Sequence, residues 1–144
     1  MSEEATTIEK EKEKVDPEGR LLLDLVRFPF VSEKPNETHR KIMEGILTAD
    51  PAVFERISAA LKAEDIKDPR VKRYFRIVDQ IYGISSGQPR QQTEVAKEEN
   101  VRPQRIDQLR DKGLRNLLST VQVETEEGNF SLSELKNRIA SGNQ

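Results

Sequence analysis

With 144 residues, 34% of them hydrophobic and 35% charged, the chain can form one ordinary domain with loose ends, and a second full-sized core is not expected. The formal net charge of -2 excludes nucleic-acid binding by bulk electrostatics, which needs a large excess of Lys and Arg, so any DNA contact has to be local. There is no cysteine, which removes disulfides and thiolate metal sites, and no apolar window approaches the ~20 residues that span a bilayer; a cytoplasmic protein with no membrane partner is expected.

From Ser2 to Lys14 the sequence SEEATTIEKEKEK carries Ile8 as its one isolated large apolar residue. Ordering such a segment costs more entropy than its burial returns, so residues 1–15 are expected to form a disordered charged tail. Three Asp-Pro pairs follow, Asp16-Pro17, Asp50-Pro51 and Asp68-Pro69. In each, Asp suits the N-cap and Pro the first helical position, where no intrahelical N–H bond is needed. The first predicts a helix over 17–27 with Leu21, Leu22, Leu25 and Val26 inward, stopped before Pro29. RFPFVSEKPNE then reads as a loop. Its Phe28 and Phe30 either fold back on the core or form an exposed apolar anchor for a protein partner.

Asn36 is expected to cap a helix over about 37–48 with Ile42, Met43, Ile46 and Leu47 at helical spacing. The second Asp-Pro pair predicts a helix from Pro51 that buries Val53, Phe54, Ile57 and Leu61, completing a helical N-terminal portion over 16–67. The third predicts a helix from Pro69 that includes Phe75, Val78 and Tyr82 and is closed by Gly83 in the left-handed conformation. SSGQPRQQ, Ser85 to Gln92, has no apolar residue and reads as a surface loop. Near the end, Val121 and Val123 alternate with polar residues and Gly128-Asn129 marks a turn, yet no strand-like run of useful length is expected. Ser131 followed by Glu134 is a capping-box signature for a helix over 132 to about 140, within a C-terminal extension over 121–144. The fold class is therefore all-α, a helical bundle of roughly seven helices.

TEVAKEENVRPQRIDQLRDKGLRNLL, Thr93 to Leu118, carries the most information. Val95 and Ala96 precede Val101, and Ile106, Leu109, Leu114 and Leu117 follow at helical intervals. Ala96 is small where two crossing helices approach, Asn100 can take the left-handed turn between them, and Pro103 suits the first position of the second helix. Between Arg102 and Leu118, five cations (Arg102, Arg105, Arg110, Lys112, Arg115) face two acids, Asp107 and Asp111. That excess suits a few phosphate contacts or a solvated face with i,i+4 pairs such as Asp111 to Arg115.

This stretch resembles region four of bacterial RNA polymerase sigma factors, the helix-turn-helix that reads the upstream promoter hexamer. The matching positions are Val95, Ala96, Val101, Arg105, Ile106, Gln108, Lys112, Leu114, Arg115 and Leu117. YFRIVDQIYGI, Tyr74 to Ile84, resembles the helix that precedes the motif, so the likeness covers about residues 68–118, within a module over 68–120. It implies that the second helix faces DNA, with Arg102, Gln104, Arg105, Gln108, Lys112 and Arg115 as the candidate contacts. Gln104 or Gln108 suits adenine through its amide. The chain departs from the family at the start of the recognition helix, where Pro103, Gln104 and Asp107 replace an Arg-Glu pair and a further Arg. Asp only accepts hydrogen bonds and is repelled by phosphate, so the scaffold is kept and the usual reading head is not.

Other chemistry has little support in the residues. His39, the one histidine, reads as a polar surface residue near a helix start. Glu98-Glu99 and Glu126-Glu127 read as solubility features, and no serine has a histidine placed to activate it. No catalytic residue, metal ligand or cofactor is expected, and the chain is not read as an enzyme. Residues 1–67 also lack the aromatic, basic segment with which a complete sigma factor melts promoter DNA. The expectation is a transcription-associated regulator that binds double-stranded DNA, RNA polymerase, or both. The competing reading is a protein-interaction module that binds core polymerase or a sigma or anti-sigma partner without reading DNA. A third, the helix-turn-helix of a recombinase or phage packaging protein, would need catalytic or oligomeric parts not found in the sequence.

Overall fold

Capping chemistry sets most of the helix boundaries. A computed structural model describes residues 16–31 and 34–142, and the tail expected over 1–15 lies outside these residues. Asp16 accepts from the Gly19 N–H at 3.2 Å and opens α1 (Pro17–Arg27). α2 (Glu37–Ala49) starts with a reciprocal cap in which His39 N–H donates to Asn36 and Asn36 N–H donates to His39 Nδ1, at 2.9 and 3.2 Å. The lone histidine thus has a structural role that its position alone did not reveal.

The second Asp-Pro pair behaves differently from expectation. α3 (Val53–Lys62) begins two residues after Pro51, with Ala52 at the N-cap and no side-chain cap. Asp50 is instead buried, and it accepts from Ala52 N–H (3.0 Å), from Arg56 Nε (2.6 Å) and from the distant Glu124 N–H (3.2 Å). A carboxylate taken out of water keeps its charge only with such partners, and meeting them pulls Asp50 away from the cap.

α4 (Pro69–Tyr82) starts as expected, with Asp68 accepting from Arg70 N–H at 2.9 Å. It ends at Gly83, whose φ of 72° is left-handed. A Cβ there would also lie 2.4 Å from the Gln88 backbone carbon, so the loop that follows closes over a position open only to glycine. α5 (Gln92–Glu99) and α6 (Pro103–Thr120) come next.

The expectation of no useful strand is corrected. β1 (Gln122–Thr125) and β2 (Gly128–Ser131) form an antiparallel hairpin in which Val123 faces Phe130 and Thr125 faces Gly128. The turn is Glu126-Glu127, one dipeptide earlier than Gly128-Asn129. Thr125 Oγ1 secures it by donating to Gly128 O at 2.8 Å and accepting from Glu127 N–H at 3.2 Å. Four-residue strands are stabilised here by packing: Val121 and Val123 are buried, and the hairpin lies against α3, α6 and α7 (Leu132–Ala140). The capping box that opens α7 is complete, with Glu134 N–H donating to Ser131 and Ser131 N–H to Glu134, both at 3.1 Å.

The described residues are thus mostly helical, with seven helices and one two-stranded sheet. One hydrophobic cluster draws buried residues from all seven helices, and Val123 joins it from β1. α1 is locked to α4 by the Tyr82 hydroxyl, which donates to Asp24, itself paired with Arg27. Burial, reinforced by the Asp24 carboxylate, raises the Tyr82 phenol above its ordinary range, so it stays a donor.

Candidate nucleic-acid interface

Three helices build the surface that carries the sequence-nominated residues. α5 stops where Asn100 takes φ 59° and ψ 47°, a left-handed conformation that Asn tolerates better than most residues. Val101 N–H then reaches back to Ala96 O at 3.0 Å, Arg102 is extended, and Pro103 starts α6. Val95 and Ala96 of α5 are buried, as is Ile106 of α6, and the two helices pack on each other. α5 and α6 are two helices broken by a short turn, not one continuous rod.

Two features hold this corner, and the first corrects the reading of Glu99 as a solubility feature. Glu99, the last residue of α5, has a side chain only 8% exposed and accepts from Arg73 Nε at 3.1 Å and from Arg76 at 2.8 and 2.9 Å. Arg73 also donates to the Glu99 carbonyl at 3.2 Å, satisfying one of the acceptors left open at a helix end. Arg76 above all, with Arg73 beside it, holds the Glu99 carboxyl below its ordinary value. Glu98, by contrast, points outward to a forked pair with Arg90 at 2.6 and 2.7 Å. Adjacent glutamates therefore do different work because helical rotation sends them to different faces.

The second feature is Gly113, buried within α6. A Cβ there would lie 2.5 Å from Val78 Cγ2 and 3.1 Å from the Tyr74 carbonyl oxygen. α4 and α6 approach so closely that only a hydrogen atom fits between them. An isolated glycine inside a helical pattern was the available signal.

On α6, successive residues rotate by about 100°, which sorts the candidates. Gln104, Arg105, Gln108, Lys112 and Arg115 share one arc of about 100°, and all five are exposed, as is Arg102 just before the helix. Asp107 and Asp111 lie about 60° and 20° beyond Gln104, outside the arc but bordering it, and both turn to the mostly buried Arg110, at 3.5 and 3.1 Å. The expected Asp111–Arg115 pair is not formed. Ser119 completes the arc, which contains no acid.

Aromatic rings flank the arc on both sides. Lys112 Nζ stands 5.7 Å from the centroid of Tyr74 on α4, and Arg115 Cζ stands 6.0 Å from that of Phe28, just past α1. Exposed cation–π contacts contribute only about 0.5–1 kcal/mol, so they park these side chains without fixing them. Arg105 donates to Gln108 Oε1 at 2.8 Å. The two phenylalanines of the loop divide between the alternatives: Phe28 packs partly buried against the core, whereas Phe30 is 62% exposed.

A separate open cleft of about 680 Å³ lies between α2, the hairpin and α7. Its rim mixes Glu44, Glu126 and Glu127 with Lys41 and Arg138, and Arg138 already pairs with Glu127 at 2.5 Å and stacks on Phe130 at 4.5 Å. Nothing converges there on one ligand chemistry. Among the described residues no group of three His, Cys, Asp or Glu is placed to hold a metal, and no helix is long and apolar enough to cross a membrane. No protein-family model, curated protein or solved structure matches the chain.

Proposed function

We propose that the chain is a transcription-associated regulator whose α5 and α6 form a helix-turn-helix, with the outer arc of α6 lying against duplex DNA. One observation carries the reading. The arc of Gln104, Arg105, Gln108, Lys112 and Arg115 is exposed, and the two acids that border it on the Gln104 side, Asp107 and Asp111, are paired with Arg110. Its cations suit phosphates and guanine edges, and its amides suit adenine. No side chain caps the start of α6; Pro103 has no N–H and the Arg105 N–H donates to Arg102 O at 2.9 Å, so a phosphate oxygen there would meet chiefly the Gln104 N–H. The resemblance of residues 68–118 to sigma region four supports the transcriptional setting, without the remainder of a complete sigma factor.

Binding of random-sequence duplex at rising salt tests this reading. Arg102, Arg105, Lys112 and Arg115 predict a slope of log affinity against log salt of about -3 to -4, or roughly a 100-fold loss between 50 and 200 mM. Arg105→Ala should lower the slope by about 1. Absence of binding at the lowest salt would discard the DNA reading.

The second reading is a protein-interaction module that binds core polymerase or a sigma or anti-sigma partner through the same helices. It is favoured by Pro103, which removes an N–H from the tip of α6, and by the net charge of -2. Retention of core polymerase or a sigma partner in the absence of DNA supports it; retention of neither removes it.

A further inference from the structure

Asp111 and Arg115 stand four residues apart on α6 with the acid first, the favoured order for a helical ion pair, yet Asp111 is held elsewhere. Its Oδ1 accepts from Arg110 Nε at 3.2 Å and from Arg110 Nη2 at 3.1 Å, while Asp107 Oδ1 stands 3.5 Å from Arg110 Nη1. Arg110 itself is not part of the arc. It lies about 60° beyond Asp107 on the side away from Gln104, so the order round α6 is Arg110, Asp107, Asp111 and then the arc. The Arg110 side chain is only 15% exposed, against 52% for Asp107 and 41% for Asp111.

Burial decides which cation takes the acid. A guanidinium withdrawn from water needs anionic partners, and leaving it without them costs far more than an exposed helical pair returns. Arg115 is exposed, with its guanidinium 6.0 Å from the Phe28 ring, and it offers Asp111 only a solvated pair. Asp111 therefore goes to Arg110, and Arg115 keeps its donors for a ligand.

We propose that Arg110 is a positioning residue for the DNA surface: by holding Asp111, with Asp107 beside it, Arg110 keeps Arg115 available to a phosphate. This rests on the reading in which the α6 arc lies on duplex DNA. It adds a residue that touches no DNA and yet sets how many cations reach the backbone. Once the Arg110 guanidinium is removed, Asp111 pairs with Arg115 one helical turn along, and the arc loses a phosphate contact. Asp107, left without its cation, then repels the backbone as well.

The test is binding of the full chain to random-sequence duplex across a range of salt. Arg110→Met keeps a long apolar stem and removes the charged fork; affinity should fall about tenfold at low salt and the salt slope should shrink by about 1, as for Arg115→Ala. Adding Asp111→Asn should restore the lost slope. Adding Arg115→Ala instead should remove no more slope, because Arg115 is already occupied, a non-additivity that a merely structural role for Arg110 does not produce. Asp111→Asn alone serves where Arg110→Met does not fold. It should keep the wild-type slope, since Arg115 is already available, and a slope steeper by about 1 would place Asp111 on Arg115 and overturn the proposal. A folded Arg110→Met chain with the wild-type slope, or one that Asp111→Asn does not rescue, overturns it too. These failures leave the duplex reading standing, whereas absence of wild-type binding removes both.

Discussion

Glu99 and Asp50 are both carboxylates that tie distant segments together, but they do so by different means. Glu99 joins the end of α5 to α4 through two guanidinium groups that keep much of their own surface in water, with side-chain exposures of 37% for Arg73 and 52% for Arg76. Asp50 joins the start of α3 to the hairpin mainly through backbone, accepting from Ala52 and Glu124 N–H groups, with Arg56 as its one charged hydrogen-bond donor. A carboxylate between solvated cations can be neutralised with little left stranded. One that satisfies part-buried N–H groups cannot, because those donors then lose a partner that water replaces only in part. The corner that presents α6 is thus pinned by charge and by close packing, and the hairpin end by backbone hydrogen bonds.

Substitutions at the two ends should separate these mechanisms. The largest effect is expected at the corner from Gly113→Leu, which fills space that α4 already occupies. Overpacking there should cost about 3 kcal/mol in denaturant unfolding and abolish DNA binding, because α4 and α6 must part. Normal stability in this variant would mean that the two helices are not in such close contact. Asp50→Ala should cost about 2 kcal/mol through the two N–H groups that lose it. Duplex affinity should be retained wherever the chain stays folded, since the α6 arc is not involved. Loss of DNA binding without loss of stability would contradict the division between the two ends.

The charge-pinned side should yield the smaller changes. Glu99→Gln keeps the shape and removes the charge, and about 1 kcal/mol of destabilisation is expected, limited by the exposure of its arginine partners. The pH dependence is smaller still. Because the folded chain holds Glu99 below its ordinary value of 4.5, its contribution is complete above that value and is lost as pH falls through the depressed folded value. Comparing wild type with Glu99→Gln across that acidic window should show the two unfolding curves converging. A gap that stays constant would assign the effect of Glu99 to shape rather than charge.

Much of the helical framework was legible because its determinants lie within a few residues of each other. Asp16, Asn36, Asp68 and Ser131 cap the turns that their neighbours predict, and Gly83 and Asn100 take the left-handed positions expected of them. The exposure of five nominated contacts, Gln104, Arg105, Gln108, Lys112 and Arg115, follows from the same 3.6-residue period that buries Ile106 and Leu109, and Arg102 is exposed in the extended turn just before it.

What only the tertiary structure decided depends on partners far along the chain. Local rules made Asp50 a cap, but Glu124, 74 residues away, made it a buried crosslink. The hairpin exists because α3, α6 and α7 offer an apolar bed to Val123, a stabilisation that four residues do not encode alone. Gly113 matters only because Val78 arrives opposite it, and Glu99 only because two arginines of α4 do. Helix starts and stops are set by hydrogen bonds three or four residues apart, which a linear reading follows. Burial, close approach and long-range ion pairing are created when helices meet; they gave the outer arc of α6 its aromatic borders, whereas the distribution of its charges follows from the helical period.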